Sequence, residues 1–468
     1  MESTVARPDK MMKAVLISTY ELGRQPFGLA SPAAWLRQAG VEVTCSDLYQ
    51  EKLNQRAVRE ADLVAVYLPM HTATRIALKV IERVRELNPS AHLCAYGLYA
   101  PLNAELLRNM GVGTILGGEF EEGLLSLVRR LGGGASGEAT QAQAEPLVSL
   151  TRQQFLVPDR AGLPVLERYA QLVMPDGTRR VVGYTEATRG CKHLCRHCPI
   201  VPVYNGQFRV VQRDVVMEDI RRQVARGAQH ITFGDPDFFN GIRHAVELVR
   251  ALHEEFPRLT YDVVIKVEHL LKHSEHLRTL KETGCAFVTS AVEAVDDRIL
   301  AIFDKGHTRA DFKRAVELSR EAGVNLIPTF VTFTPWITLE GYEDLLETLA
   351  SLDLIDHVPP IQLAIRLLIP TGSKLLELPE VRAVIGPFDR RALSYRWAHP
   401  DPRMDSLQRC VESLVQKAAA AGWDRRSIFK QVWALVQQAK GQNCKRLPEA
   451  GMCRPRAAVP YLNEPWYC

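Results

Sequence analysis

The sequence predicts an α/β protein in two parts: an N-terminal doubly wound domain over residues 12–131, then a partial (β/α)6 barrel over 180–370. A mainly helical C-terminal extension, 371–468, follows. Three observations carry this reading. Short β-favouring apolar runs alternate with helical patterns in two separate stretches, the pattern of parallel sheets covered by helices. Between them lies a small, polar, unpatterned segment at 132–147, beginning Gly-Gly-Gly-Ala-Ser-Gly, which reads as a flexible linker. The composition is ordinarily globular, with 46% hydrophobic and 24% charged residues, and 468 residues supply enough chain for two or three domains.

In the first part, strands are expected at 13–19, 62–68 and 92–96, and helices at 29–39 and 73–87. In the second, strand candidates fall at 181–187, 229–233, 260–266, 285–290, 325–332 and 361–368. Chemistry in such a barrel sits at the C-terminal ends of its strands. Residues 405–439 read as helical and the last 25 or so as irregular; no internal repeat is evident.

A net charge of +4 is too small to argue for nucleic acid, and no RNA-binding module is recognisable. The first ten residues hold no apolar signal core, and no run approaches the ~18 apolar residues that a membrane span needs. A cytoplasmic protein is expected. In that reducing setting the ten cysteines are metal ligands or buried thiols before they are disulfides.

Three of them are clustered. Arg189-Gly190-Cys191-Lys192-His193-Leu194-Cys195-Arg196-His197-Cys198-Pro199 follows the first expected barrel strand with the spacing C-x3-C-x2-C. Three thiolates on one short loop can hold three irons of a cubane and leave the fourth open. A zinc site recruiting His193 or His197 is the alternative on spacing alone. Motif and context closely resemble the radical S-adenosylmethionine (SAM) enzymes. That resemblance implies a 4Fe-4S cluster on Cys191, Cys195 and Cys198 that cleaves SAM to a 5'-deoxyadenosyl radical. A flavodoxin- or ferredoxin-type electron donor and an unidentified substrate, a small molecule or peptide before nucleic acid, come with it.

The same resemblance assigns SAM contacts. Thr232-Phe233-Gly234-Asp235-Pro236-Asp237 stands where the family has a Gly-Gly-Glu-like turn for the SAM amino group, giving Gly234 and Asp235, with Asp237 as the other carboxylate. Gly284 through Glu293 is similar to the family's fourth-strand segment, giving Ser290 and Glu293 as ribose or methionine contacts. Asp304-Lys305-Gly306-His307-Thr308 matches a loop-building Lys-Gly-x-Thr turn, and Phe330 through Pro335 a fifth-strand segment. Arg366, on the sixth expected strand, is a candidate for a SAM or substrate carboxylate if it points inward. Cys45, Cys94 and Cys285 read as buried small hydrophobes.

Pro26 through Val43, the loops Pro69-Met70-His71-Thr72 and Tyr96-Gly97-Leu98-Tyr99, and Gly117-Gly118-Glu119-Phe120-Glu121 resemble cobalamin-binding domains that precede many radical SAM barrels. Cobalamin is therefore a candidate cofactor, with methyl transfer as its chemistry. The Asp-x-His-x-x-Gly motif is absent, and His71 is a poor axial ligand. A Rossmann-like module without cofactor, binding substrate or partner, stays open, as does a non-catalytic metal-binding protein. Tyr395 through Asp405 and the final Asn463-Glu464-Pro465-Trp466-Tyr467-Cys468 resemble radical SAM proteins ending in Cys-Sec-Ala-Glu-Pro or Cys-Cys-Ala-Glu-Pro. On that resemblance the chain is a selenoprotein candidate, cut at an in-frame UGA after Cys468. Cys410, Cys444, Cys453 and Cys468 are given no firm role.

Overall fold

The computed structural model describes residues 11–132, 144–441 and 458–464. It separates into two compact units, one taking the chain up to Glu21 and Gln25–Pro164, the other Leu22–Arg24 and Val165 onward.

In the first unit six parallel strands form one sheet: β1 Lys13–Ser18, β2 Glu42–Asp47, β3 Leu63–Tyr67, β4 His92–Tyr96, β5 Thr114–Gly118 and β6 Val148–Ser149, in the order β2-β1-β3-β4-β5-β6. Alternation along β1 sends Ala14 and Leu16 into one core cluster and Val15 and Ile17 into another, so both faces are covered. Helix His71–Leu87 shows how the cover is made, burying Ala73, Thr74, Ala77, Ile81 and Val84 at helical spacing. The three expected strands are present; β2, β5 and β6 are additions. The expected boundary at 132–147 lies largely outside the described residues, and the chain beyond it still belongs to this unit. β6 extends the sheet, and Asp159 pairs with Arg37 at 2.8 Å.

The second unit holds a curled sheet with five parallel strands, β8 Arg179–Thr185, β11 His230–Phe233, β12 Thr260–Val264, β13 Cys285–Glu293 and β14 Leu326–Phe330. Helices run between them. Beyond β8 the sheet is continued antiparallel by β7 Gln171–Val173 and by β17 Tyr461–Leu462 from the chain's far end. Two short strands after β8, β9 Thr188–Gly190 and β10 Phe208–Val210, pair antiparallel and bracket the cysteine loop. The sixth strand expected over 361–368 is reduced to one bridge, Phe333 to Arg366, because Pro360–Leu363 winds into a 3-10 turn. The C-terminal extension has helices Pro402–Ala420 and Arg425–Ala439, as expected, preceded by an unexpected hairpin, β15 Ile385–Asp389 with β16 Ser394–Trp397.

Two faces of the curled sheet can be told apart. The Tyr261 hydroxyl reaches Thr283 at 2.7 Å and the carbonyl of Leu280 in helix Leu277–Glu282, so Tyr261 and, two residues on, Val263 face the helices. Val263 pairs with Val288, which puts Val288 and Ser290 on that outer side too. The inner face carries His230, Thr232, Asp262 and Thr289.

Candidate functional site

The cysteine loop leaves β9 at Gly190, whose φ is +73°. A Cβ there would stand 2.3 Å from the Tyr204 ring and 2.6 Å from the Gln207 carbonyl, so glycine is the residue that lets the loop turn. Cys195 is buried, Cys191 and Cys198 half-buried. Burial pushes the Cys198 thiol up to about 12, and Cys195 and Cys191 are near enough to add to the effect. Burial likewise raises Cys191. Three neighbouring thiols, of which Cys191 and Cys198 are costly to ionise alone, suit a multivalent metal group that binds thiolates outright. The ammonium of Lys305, 4% exposed, feels the charge of Cys195 and Cys198. This donor set fits a 4Fe-4S cluster.

Around the loop stands a buried polar shell drawn from the C-terminal ends of β11 to β13. Gly234 has no room for a side chain, since a Cβ would lie 1.8 Å from the Tyr184 hydroxyl. Asp235 accepts from the Ala187 backbone at 2.9 Å and from the Thr188 hydroxyl at 2.6 Å, tying β11 to the β8–β9 junction. Burial holds its carboxyl up at about 7 despite those bonds. Asp237 is the carboxylate nearer the cysteines: its Oδ2 lies 3.4 Å from His193 Nε2 and 2.6 Å from His269 Nδ1. Burial would raise Asp237, but the two imidazoles bring it to about 2. Lys266 Nζ meets His193 Nδ1 at 3.1 Å and Glu268 at 2.9 Å.

Glu293 closes β13 in a left-handed conformation, φ +72°. Its carboxylate meets His197 Nε2 at 3.1 Å and Lys305 Nζ at 3.5 Å, which outweigh burial and hold it at about 2. His197 is thereby committed to Glu293, while His193 faces Asp237. Two expected contacts lie elsewhere. Ser290 is fully buried on the helix-facing side of β13, its hydroxyl unpaired among the described residues, because the strand's phase turns Thr289 and Ala291 inward. Arg366 donates to Asp405 and to the Trp397 carbonyl, both at 2.7 Å, and lies 3.5 Å over the Trp397 ring. Its guanidinium is spent on anchoring the C-terminal extension.

Lys266, Glu268, His269, Lys305 and His307 were not singled out as site residues by sequence. The clearest signal was the Asp304-Lys305-Gly306-His307-Thr308 turn, read only as a loop. His307 is buried, neither ring nitrogen has a hydrogen-bond partner among the described residues, and burial with the two lysines pushes it down to about 4.

In the first unit the strand order reverses at β1 and β3, and a crevice for ligands is expected outside their C-terminal ends. There the Ser18 hydroxyl is fully buried with no partner among the described residues. The loops 69–72 and 96–99 follow β3 and β4. Tyr67, Tyr96 and Phe120 make an aromatic wall, ring centroids 5.0–5.9 Å apart. An orphaned hydroxyl beside aromatic rings fits a large ring system with polar edges such as a corrin. His71 begins its helix with its ring edge-on to Tyr99. Cys45, Cys94 and Cys285 are buried and pushed up by burial, Cys45 to about 11, while Cys410 is exposed. Cys444, Cys453 and Cys468, and the proposed selenocysteine tail, lie outside the described residues.

Residues 185–352 match the model of the radical SAM superfamily. The hopanoid C-3 methylase of Methylococcus capsulatus is 24% identical over 329 residues, covering 67% of this chain and 62% of the methylase. The chain thus spans less than two thirds of that relative. The bacteriochlorophyllide d C-8(2)-methyltransferase of Chlorobaculum tepidum is 26% identical over 184 residues, 37% of this chain and 39% of the relative. Among solved structures, the cobalamin-dependent SAM radical enzyme OxsB with aqua-cobalamin bound shares the fold with TM-score 0.68 at 13% identity, covering 87% of this chain and 67% of OxsB. The radical SAM methyltransferase TsrM from Kitasatospora setae, with tryptophan and aza-SAM bound, does so with TM-score 0.66 at 16% identity, covering 91% and 89%. No helix among the described residues is long and apolar enough to cross a membrane. From the end of β8 through the helix that follows β14, residues 185–352 of this chain are a radical SAM domain.

Proposed function

We propose that the chain is a radical SAM enzyme acting on an unactivated C–H bond. The observation that carries this is the convergence of Cys191, Cys195 and Cys198 on one loop at the C-terminal ends of the parallel strands, inside a shell of buried charge. When bound there, a 4Fe-4S cluster supplies the electron that cleaves SAM to methionine and a 5'-deoxyadenosyl radical. The chain's own residues do the rest. Gly190 shapes the loop, and Glu293 is held ionised by Lys305 and His197, available for the hydroxyls or ammonium of SAM. Gly234 lets backbone approach without a side chain, while Asp235 fixes the β8–β11 junction beneath it. The electron comes from a flavodoxin- or ferredoxin-type carrier, and the substrate is a small molecule or peptide.

For the first unit the proposal is cobalamin, held by Ser18, the loops 69–72 and 96–99 and the Tyr67–Tyr96–Phe120 wall. Cobalamin would carry the methyl group in a methyl transfer. Support comes from the shared fold of OxsB and TsrM and from methyltransferases among the relatives.

The test is anaerobic reconstitution, dithionite reduction with SAM, and mass-spectrometric measurement of 5'-deoxyadenosine in the native chain and in Cys195→Ala. Product in the first and none in the second is expected; zinc in place of iron and no product in either sinks the proposal. Corrin absorption after purification with cobalamin separates the methyl-transfer version from one in which the first unit binds substrate or partner.

A further inference from the structure

The cysteine loop turns one side chain to solvent. Of residues 191–198, Leu194 alone is exposed, at 43%, although the next residue, Cys195, is buried. A singly exposed leucine means nothing by itself. This one has a fixed setting. The turn Asn205-Gly206-Gln207 packs beside it, since a Cβ on Gly206 would lie 3.3 Å from Leu194 Cδ2 and 3.5 Å from the Lys192 carbonyl. Ser373 donates to the Arg196 carbonyl at 3.1 Å, which lays residues 373–374 along the same loop, and Lys374 Nζ reaches Asn205 Oδ1 at 3.4 Å.

Cations collect around the leucine. Lys192 and Arg196 flank it two residues away on either side, and Lys374 arrives from its own 3-10 turn, Lys374–Glu377. Arg209 of β10 donates to the Gln207 side chain at 3.0 Å. Lys192 and Lys374 pair with no carboxylate among the described residues. Arg196 donates to the carbonyls of Ala301 and Ile302, both at 3.1 Å, which holds its charge at the rim. Asp304, 4.0 Å from Arg196, and Glu377 offset part of this charge. An apolar centre inside a polar rim is the anatomy of a protein interface. The inner side of the loop is closed to a protein, because Asp237, Glu293 and Lys305 stand there buried. A macromolecule that meets the cysteine loop meets it at Leu194.

We infer that Leu194, with Lys192, Arg196 and Lys374 around it, is where an acidic one-electron carrier protein docks. The inference rests on the radical SAM reading, in which each SAM cleaved takes one electron. The exchange balances without a proton: the anionic hydroquinone flavin of the carrier gives one electron and becomes the neutral semiquinone, and the cluster is reduced by that electron. Opposite charge steers the carrier to the loop, and the leucine excludes water once it arrives. Steering of this kind fades with salt, since exposed charges more than ~8 Å apart are screened at physiological ionic strength.

The test uses the reconstituted chain and a purified flavodoxin with an acidic rim around its flavin. Binding of the oxidised flavodoxin is measured by calorimetric titration at low and high salt, without turnover. 5'-Deoxyadenosine is then scored separately with reduced flavodoxin and with dithionite. Native binding that weakens at high salt is expected. Lys374→Glu and Leu194→Ser lie on separate elements and should each weaken binding by about 10-fold, and lower the flavodoxin-driven rate at sub-saturating carrier by a similar factor. The dithionite-driven rate and the iron content should stay at native values, because a small inorganic reductant needs no docking surface. Lys417→Glu, exposed on helix Pro402–Ala420, reverses a charge elsewhere and should change nothing. No binding by the native chain overturns the inference, as does unchanged binding in Lys374→Glu or Leu194→Ser. A matching loss of dithionite-driven rate or of iron overturns it too, because the variants then damage the cluster loop. An equal loss in Lys417→Glu means that charge and not place binds the carrier, and is equally fatal. Absence of 5'-deoxyadenosine with dithionite in the native chain sinks the enzymatic proposal instead, and the binding titration still decides the docking surface, so the two failures read differently.

Discussion

Glu293→Gln should destabilise the second unit by about 3 kcal/mol at pH 7. Burial alone would raise the Glu293 carboxyl, but Lys305 and His197 hold it at about 2 against an ordinary 4.5. At about 1.36 kcal/mol per pH unit, that difference is worth about 3 kcal/mol in favour of the folded, ionised form. A separate route gives a similar size: Lys305 is 4% exposed, and removing one partner of a buried ion pair costs about 3–5 kcal/mol. A glutamine keeps the shape and tolerates the same backbone, so the loss reports charge. Because the folded value is depressed, the contribution is full above pH 4.5 and fades as pH falls toward 2. The gap between native and variant should therefore narrow to about 2 kcal/mol at pH 3.5. Urea unfolding of the cluster-free chain measures it, with each unit's transition fitted separately since two units need not unfold together. Equal stability at pH 7, or a gap that does not shrink on acidification, would refute the pairing.

Asp235 runs the opposite way. Its folded value of about 7 exceeds the ordinary 3.8, so its contribution is intact below pH 3.8 and is lost as pH rises through 7; Asp235→Asn should gain stability relative to native between pH 5 and pH 8, read by thermal unfolding. Arg366→Ala removes the Asp405 bond and the Trp397 stack and should cost about 2 kcal/mol while leaving SAM affinity unchanged, measured by calorimetric titration; a large affinity loss would return Arg366 to the SAM site. Gly190→Ala forces a side chain into the Gln207 carbonyl at positive φ and should lower iron retained after reconstitution well below native, at a stability cost of about 2 kcal/mol or more.

How much of this could be read from sequence depends on whether the cause is local. Cys191, Cys195 and Cys198 lie within eight residues, so their spacing alone fixes a shared ligand, and Lys13–Ser18 or Leu63–Tyr67 is apolar on both faces because both are buried. β2, Glu-Val-Thr-Cys-Ser-Asp, is an edge strand with one neighbour, so half of it can stay polar and it carries no apolar run. β5 ends in two glycines, which weaken any strand signal. The placement of Ser290 on the helix-facing side was hidden for a different reason. Cys285-Ala286-Phe287-Val288 is apolar at every position, so its phase cannot be told from composition, and an irregular register opposite Tyr261 and Asp262 shifts the pairing at that end. Asp237, Lys266, His269, Lys305 and Glu293 come from three different strand ends and the helices after them, and meet only because the parallel strands all open their C-terminal ends to one side. A sequence motif finds the sulfurs; which charges surround them, and so which protonation and which metal they take, is decided by the register of the curled sheet.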